Sequence, residues 1–168
     1  VVYTPTGGDV GHDTFTYTVT SGGVSETTTV TVTLTNPAPV TQGEQVTTPE
    51  DTPVSGPNLL NNDRDADGDP LAIIGFDVAG QHYQPGDIAT IAGSGTLTIN
   101  SDGSYHFVPV ADWHGDVPSV TYSVSDGRNN GTTTATLDIR VTPVPDIHDD
   151  SASTPANHPV TVDVLAND

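Results

Sequence analysis

The feature that most limits what this chain can fold into is that it repeats itself at long range. Thr48-Pro49-Glu50-Asp51-Thr52-Pro53-Val54 leads to Leu60-Asn61-Asn62-Asp63, and Thr154-Pro155-Ala156-Asn157-His158-Pro159-Val160 leads to Leu165-Ala166-Asn167-Asp168. The offset is 106 residues at the Thr-Pro pair and 105 at the closing Asp. Other segments keep the same period. TFTYTVT from Thr14 matches SVTYSVS from Ser119, and TTTVTVTLT from Thr27 matches TTTATLDIRV from Thr132. A period this long means a string of similar domains. Asn36-Pro37-Ala38-Pro39 and Thr142-Pro143-Val144-Pro145 then read as the joints, because proline keeps a short linker extended and semi-rigid. The expected division is 1–36 as the C-terminal part of one repeat, 37–142 as a complete repeat, and 143–168 as the start of the next. No counterpart of residues 64–104 occurs in the flanking pieces. That favours a fragment of a longer polypeptide over a head-to-tail assembly in which neighbours complete each other's sheets.

Strands are expected rather than helices. Phe15, Tyr17 and Val19 alternate with threonines, as do Val30, Val32 and Leu34, and Ala135, Leu137, Ile139 and Val141 alternate with other residues. Such alternation has the period of a half-buried strand. Leu97 and Ile99 lead through Asn100-Ser101-Asp102-Gly103 to Tyr105 and Phe107, which reads as a hairpin. Leu71 to Phe76 is more continuously apolar and is expected to be a strand buried on both faces. The 17 Gly and 14 Pro supply turns. The fold class expected is all-β, with tandem immunoglobulin- or cadherin-like β-sandwich repeats of about 105 residues. A β-solenoid would need a much shorter internal period.

Charge narrows the function. The 22 Asp and Glu face three cationic side chains, Arg64, Arg128 and Arg140, for a net charge of −19. A nucleic-acid binder needs a basic footprint that this chain lacks. Anionic membrane surfaces are disfavoured for the same reason. No stretch approaches the roughly 20 apolar residues of a membrane helix, so membrane insertion is not expected. The chain opens in mid-pattern, which is compatible with a leader upstream. With no cysteine, small cores cannot be stapled by disulfides, and metal ions become the alternative.

One segment carries chemistry. Asn62-Asp63-Arg64-Asp65-Ala66-Asp67-Gly68-Asp69-Pro70 sets four carboxylates at alternate positions in a D-x-D-x-D-G arrangement. Alternate side chains of a tight loop can converge on one centre, and a hard cation with six to eight oxygen ligands relieves their repulsion. Calcium is therefore expected at Asp63, Asp65, Asp67 and Asp69, and the all-oxygen set argues against zinc. The loop is not an EF-hand, because Ile74 stands where the bidentate Glu belongs. The missing ligand must come from elsewhere, with Glu50, Asp51 and Asp126 as candidates. Asp126 also reads as a plain turn residue. Asp146, Asp149 and Asp150 could hold an ion at the second joint. The six histidines are scattered, with no metal-binding spacing, and read as surface residues. Trp113 reads as a core or corner residue. No nucleophile elbow or phosphate loop occurs, and Asn130-Gly131 reads as a hairpin turn before a sequon.

NLLNNDRDADGDPL, SDGSYHFVP, TYSVSDG and the G-x-D-x-F-x-Y-x-V pattern of Gly11 to Val19 resemble the cadherin-like, immunoglobulin-type tandem repeats of giant bacterial adhesins. These are the extender repeats of RTX-type surface proteins, to which VCBS repeats are close. The resemblance covers nearly the whole chain. It implies a secreted, extracellular or cell-surface string of calcium-stiffened sandwiches that holds a binding tip away from the cell. Relatives often carry an acid at the joint, whereas the first joint here reads Asn36-Pro37-Ala38-Pro39-Val40. The expected role is a non-enzymatic structural extender whose partners are calcium and neighbouring repeats. The rival expectations are a building block of a self-associating filament or surface layer, and a carbohydrate- or protein-binding module. The last would need an exposed aromatic platform, with Tyr83 in the segment 77–95 as the best candidate.

Overall fold

The computed structural model describes residues 1–5, 10–128, 131–145 and 150–164. It is all-β. The strands are β1 (Gly11–Ser21), β2 (Val24–Leu34), β3 (Glu44–Pro49), β4 (Ala72–Val78), β5 (Gln81–Tyr83), β6 (Ile88–Ile91), β7 (Gly95–Ile99), β8 (Tyr105–Pro109), β9 (Gly115–Asp116), β10 (Val120–Ser125) and β11 (Thr132–Thr142).

β1 and β2 form a separate two-stranded ribbon, in register from Gly11↔Leu34 to Ser21↔Val24. Gly22 and Gly23 close it with φ of 60° and 82°. Two successive positive φ angles make the tight turn that matches the twist of a hairpin.

The rest of the strands build a sandwich. One sheet runs β3-β11-β10-β4-β5, with β9 also paired to β11, and the other runs β6-β7-β8. β3 lies parallel to β11, with Glu44 opposite Leu137 and Pro49 opposite Thr142. The inward residues of both sheets meet in one core. Ile73, Phe76, Tyr122, Val124, Leu137 and Ile139 come from the larger sheet, and Ala89, Ile91, Leu97, Ile99 and Phe107 from the smaller. Strict alternation is visible in β10 and, from Ala135 onward, in β11, where every second side chain is buried, as the pleat requires. The expected hairpin is β7–β8, with Ile99 opposite Tyr105 and Gly103 at φ 84° in its turn.

The apolar run from Leu71 to Phe76 is not buried on both faces. The β4–β10 register slips between Ser123 and Val124, so Ile73 and Phe76 both point inward while Ile74 faces solvent at 47% exposure. A bulge breaks the period of two and lets apolar neighbours divide between the faces. Tyr83 stacks on Phe76, with ring centroids 5.3 Å apart and planes 19° from parallel. Its ring therefore packs on the core instead of forming an open platform. Trp113 is half-buried against the core, as a corner residue should be. The Asn130 turn lies outside the described residues.

Candidate metal centre

The acidic loop owes its shape to Asp65. Its Oδ1 accepts from the backbone N–H of Asp67 (2.8 Å) and of Asp69 (3.2 Å), a local closure that Asp side chains favour in turns. This leaves Asp67 exposed. Asp69 turns to Arg128, whose Nε and Nη2 each donate to its carboxylate at 3.2 Å. Asp63 points the other way, into the protein, and is only 9% exposed. Its Oδ1 accepts from Gln42 N–H at 3.0 Å, beside an antiparallel bridge between Val40 and Arg64. The loop is thus sewn to the segment that enters the domain from the first joint.

Glu44, the first residue of β3, faces the same spot. Its Oε2 accepts a 2.5 Å hydrogen bond from the hydroxyl of Tyr122, whose ring is fully buried in the core. Asn62 is hydrogen-bonded to Glu44, and Asp63 is close enough to repel it. Burial, followed by the charge of Asp63, outweighs these hydrogen bonds and raises the Glu44 carboxyl above its ordinary range. Burial likewise raises Asp63, against the bond from Gln42. Burial, with the Glu44 carboxylate behind it, drives the Tyr122 hydroxyl far above the usual phenol range.

Four buried side-chain oxygens have no hydrogen-bond partner: Glu44 Oε1, Asn62 Oδ1, Asp63 Oδ2 and Asp65 Oδ2. Among the described residues, no other buried side-chain nitrogen or oxygen is left unpartnered in this way. An orphaned buried acceptor costs on the order of 1–3 kcal/mol, so four on two adjoining segments call for an explanation. All four are acceptors. The donor set is oxygen alone, which is the chemistry a hard divalent cation takes. As they stand, however, the acids are not gathered. Among the described residues, no group of three or more His, Cys, Asp or Glu could hold a metal ion. The open oxygens, an amide oxygen among them, match calcium in chemical type but not in arrangement.

The other expected ligands are placed elsewhere. Asp126 is buried, but its Oδ2 accepts from Asn36 Nδ2 (2.8 Å) and its Oδ1 from Arg128 N–H (2.7 Å). It ties the incoming linker to the β10–β11 turn. Asn36 first, with Arg128 as a smaller contributor, holds its carboxyl below the ordinary Asp range. Glu50 follows the last residue of β3, six residues on from Glu44 and about 20 Å away at the rise of a strand. There it accepts from Val144 N–H (2.5 Å) and pairs with His114 Nδ1 (3.3 Å). Asp51 accepts from Asp112 N–H at 3.0 Å. Glu50 and Asp51 therefore serve the outgoing end of the domain and do not join Asp63. Asp146 and Asp149 lie outside the described residues, and Asp150 is exposed.

Sequence reasoning missed Glu44 and Asn62. The signal for Glu44 was present: Glu44, Val46 and Thr48 occupy the inward positions of one strand, and an acid in such a position needs a partner.

The model of the family described as bacterial cadherin-like domain matches residues 36–143. No curated protein matches the chain. Among solved structures, a nucleoside hydrolase-related hypothetical protein from Saccharophagus degradans, associated with carbohydrate metabolism, aligns at 17% identity and a TM-score of 0.43. The alignment covers 64% of this chain and 26% of that one. The endo-fucoidan hydrolase MfFcnA4 of glycoside hydrolase family 107 aligns at 23% identity and a TM-score of 0.41, over 84% of this chain and 20% of that one. The chain thus spans about a fifth to a quarter of these larger structures. A family match over most of the chain agrees with a helix-free sandwich whose acidic loop is sewn to the incoming joint, and on that match the chain belongs to the bacterial cadherin-like domain family.

Proposed function

We propose that the chain is a non-enzymatic extender module of a large secreted bacterial surface adhesin, stiffened by calcium and holding a binding tip away from the cell. One observation carries the reading. The unpartnered buried oxygens lie where the segment from the first joint docks, through Val40, Gln42 and Asn36. A cation taken up there would bind the docked arrangement and not the unfolded chain. Binding of that kind stabilises by mass action, roughly 2.7 kcal/mol when free ion is 100-fold above its dissociation constant. The same ion would hold the entering linker at a set angle and turn a limp string into a rod. In a low-calcium cytoplasm the module would stay looser, and it would stiffen after export. The family match and the net charge of −19 support this role. No helix of the described residues is long and apolar enough to cross a membrane.

The test is a thermal melt of the 168-residue chain in millimolar calcium and in chelator. The expected result is a lower Tm in chelator, with calcium restoring it. Identical melts in the two buffers would refute the calcium part of the proposal.

A further inference from the structure

We infer that the joint leaving this domain is held by a direct clasp, the Glu50 carboxylate on the backbone of Val144, and that the residue at this place in each repeat decides whether its outgoing joint is fixed or free. The inference rests on the extender reading, because it takes the joint as the working part. It does not rest on calcium.

The linker offers little to hold. Proline has no N–H, so Val144 carries the one backbone donor of Pro143-Val144-Pro145. Glu50 Oε1 takes that donor at 2.5 Å. The reach is short because Glu50 N–H donates to Thr142 O at 2.9 Å, just past the last β3–β11 pair, Pro49 and Thr142. The other carboxylate oxygen faces His114 Nδ1 at 3.3 Å, and the Glu50 side chain is only 9% exposed. A carboxylate held at both oxygens has little rotamer freedom left to lose, so its charge-assisted hydrogen bond keeps more of its strength. The next residue is braced as well. Asp51 has φ of 60° and Asp112 φ of 57°, a left-handed conformation that costs free energy in any residue with a Cβ. Asp51 Oδ1 accepts from Asp112 N–H at 3.0 Å, so a hydrogen bond joins the two strained positions beside the clasp.

A turn that ends a strand for its own sake is the plainer account, and the next repeat separates the two. Thr154 to His158 rebuilds the turn of Thr48 to Thr52. Thr48 Oγ1 donates to Thr52 O at 2.7 Å, and Thr154 Oγ1 to His158 O at 2.9 Å. Thr52 N–H donates to Pro49 O at 3.3 Å, and His158 N–H to Pro155 O at 3.2 Å. Asn157 stands at φ 63° where Asp51 has 60°. The turn is thus built in full with Ala156 in the place of Glu50. It does not need the carboxylate, which is left for the joint. Alanine has no group to offer a linker. The turn is a common socket, and the side chain seated in it sets the stiffness of each joint separately.

The experiment is nuclear magnetic resonance of the isotope-labelled 168-residue chain, in calcium and in chelator. Two variants accompany it: Glu50→Ala, which copies the next repeat, and Glu50→Asp, which keeps the charge but is one methylene shorter. The Val144 amide is the readout. In the wild type it should exchange slowly and show an order parameter of about 0.85 in both buffers. In both variants its exchange should quicken roughly tenfold or more, the worth of one hydrogen bond to a charged acceptor. Its order parameter should fall below about 0.6. The amides of β3 and β11 report whether the sheet survives. A Val144 amide that stays protected in Glu50→Asp, with those strands intact, would overturn the clasp. Loss of wild-type protection in chelator would also overturn it, by assigning the joint to an ion. A melt indifferent to calcium, with Val144 protected throughout, would remove the calcium reading and leave the clasp standing.

Discussion

Replacing Tyr122 with Phe isolates the hydrogen bond that holds Glu44 at the start of β3. The ring is fully buried, and Phe fills the same space, so packing is retained and only the hydroxyl is lost. That hydroxyl donates to Glu44 Oε2 at 2.5 Å, with the carbonyl oxygens of Gln42 and Leu59 farther off at 3.3 and 3.5 Å. A hydrogen bond to a charged acceptor contributes about 1.5–3 kcal/mol. Its removal leaves Glu44 with Asn62 as its remaining side-chain donor, so a cost within that range is expected in chelator. At about 4 °C per kcal/mol for a domain near 100 residues, Tm should drop by roughly 6–12 °C. Urea denaturation should show a lower midpoint with an unchanged slope, which marks a stability change without loss of compactness. The decisive measurement is the double-mutant cycle with Glu44→Gln. The two residues touch, so the combined effect should depart from additivity by more than about 0.5 kcal/mol. A loss below about 0.5 kcal/mol for Tyr122→Phe, or additive behaviour in the cycle, would refute the reasoning.

Two further outcomes follow from the same geometry. Gly131 packs against the Asp126 carboxylate so closely that an added Cβ would collide with it. Gly131→Ala should therefore push Asp126 off Asn36 and cost on the order of 1–3 kcal/mol as overpacking, read as a lower melting temperature. Tyr122 and Tyr105 both have hydroxyls raised by burial, with added opposition from Glu44 in each. A phenol raised in the folded state contributes stability that is full below its unfolded value and is lost as pH rises past it. Stability should thus hold up to about pH 10 and decline above it. In an ultraviolet titration these two phenols should ionise only as the fold is lost, and their ionisation in step with model tyrosine would contradict the burial argument.

Much of this protein was legible in its letters because the relevant physics is local. Alternation with a period of two announced β1, β2 and β11, and Asn100-Ser101-Asp102-Gly103 announced the β7–β8 turn. The Leu71–Phe76 run misled because its bulge depends on how β10 pairs with it, and a hydrophobicity pattern carries no record of a register slip. The acidic loop was visible as a motif, and its residue types pointed to a hard cation. The motif could not say which carboxylates were still free. Tertiary contacts decided that: Arg128, 59 residues away, claims Asp69; the core phenol of Tyr122 aims Glu44; and the parallel pairing of β3 with β11 carries Glu50 off to the far joint. Composition and spacing set the chemistry the chain can offer. Only the folded sheet, by spending some oxygens on protein donors and burying the others, chose where that chemistry is left unsatisfied.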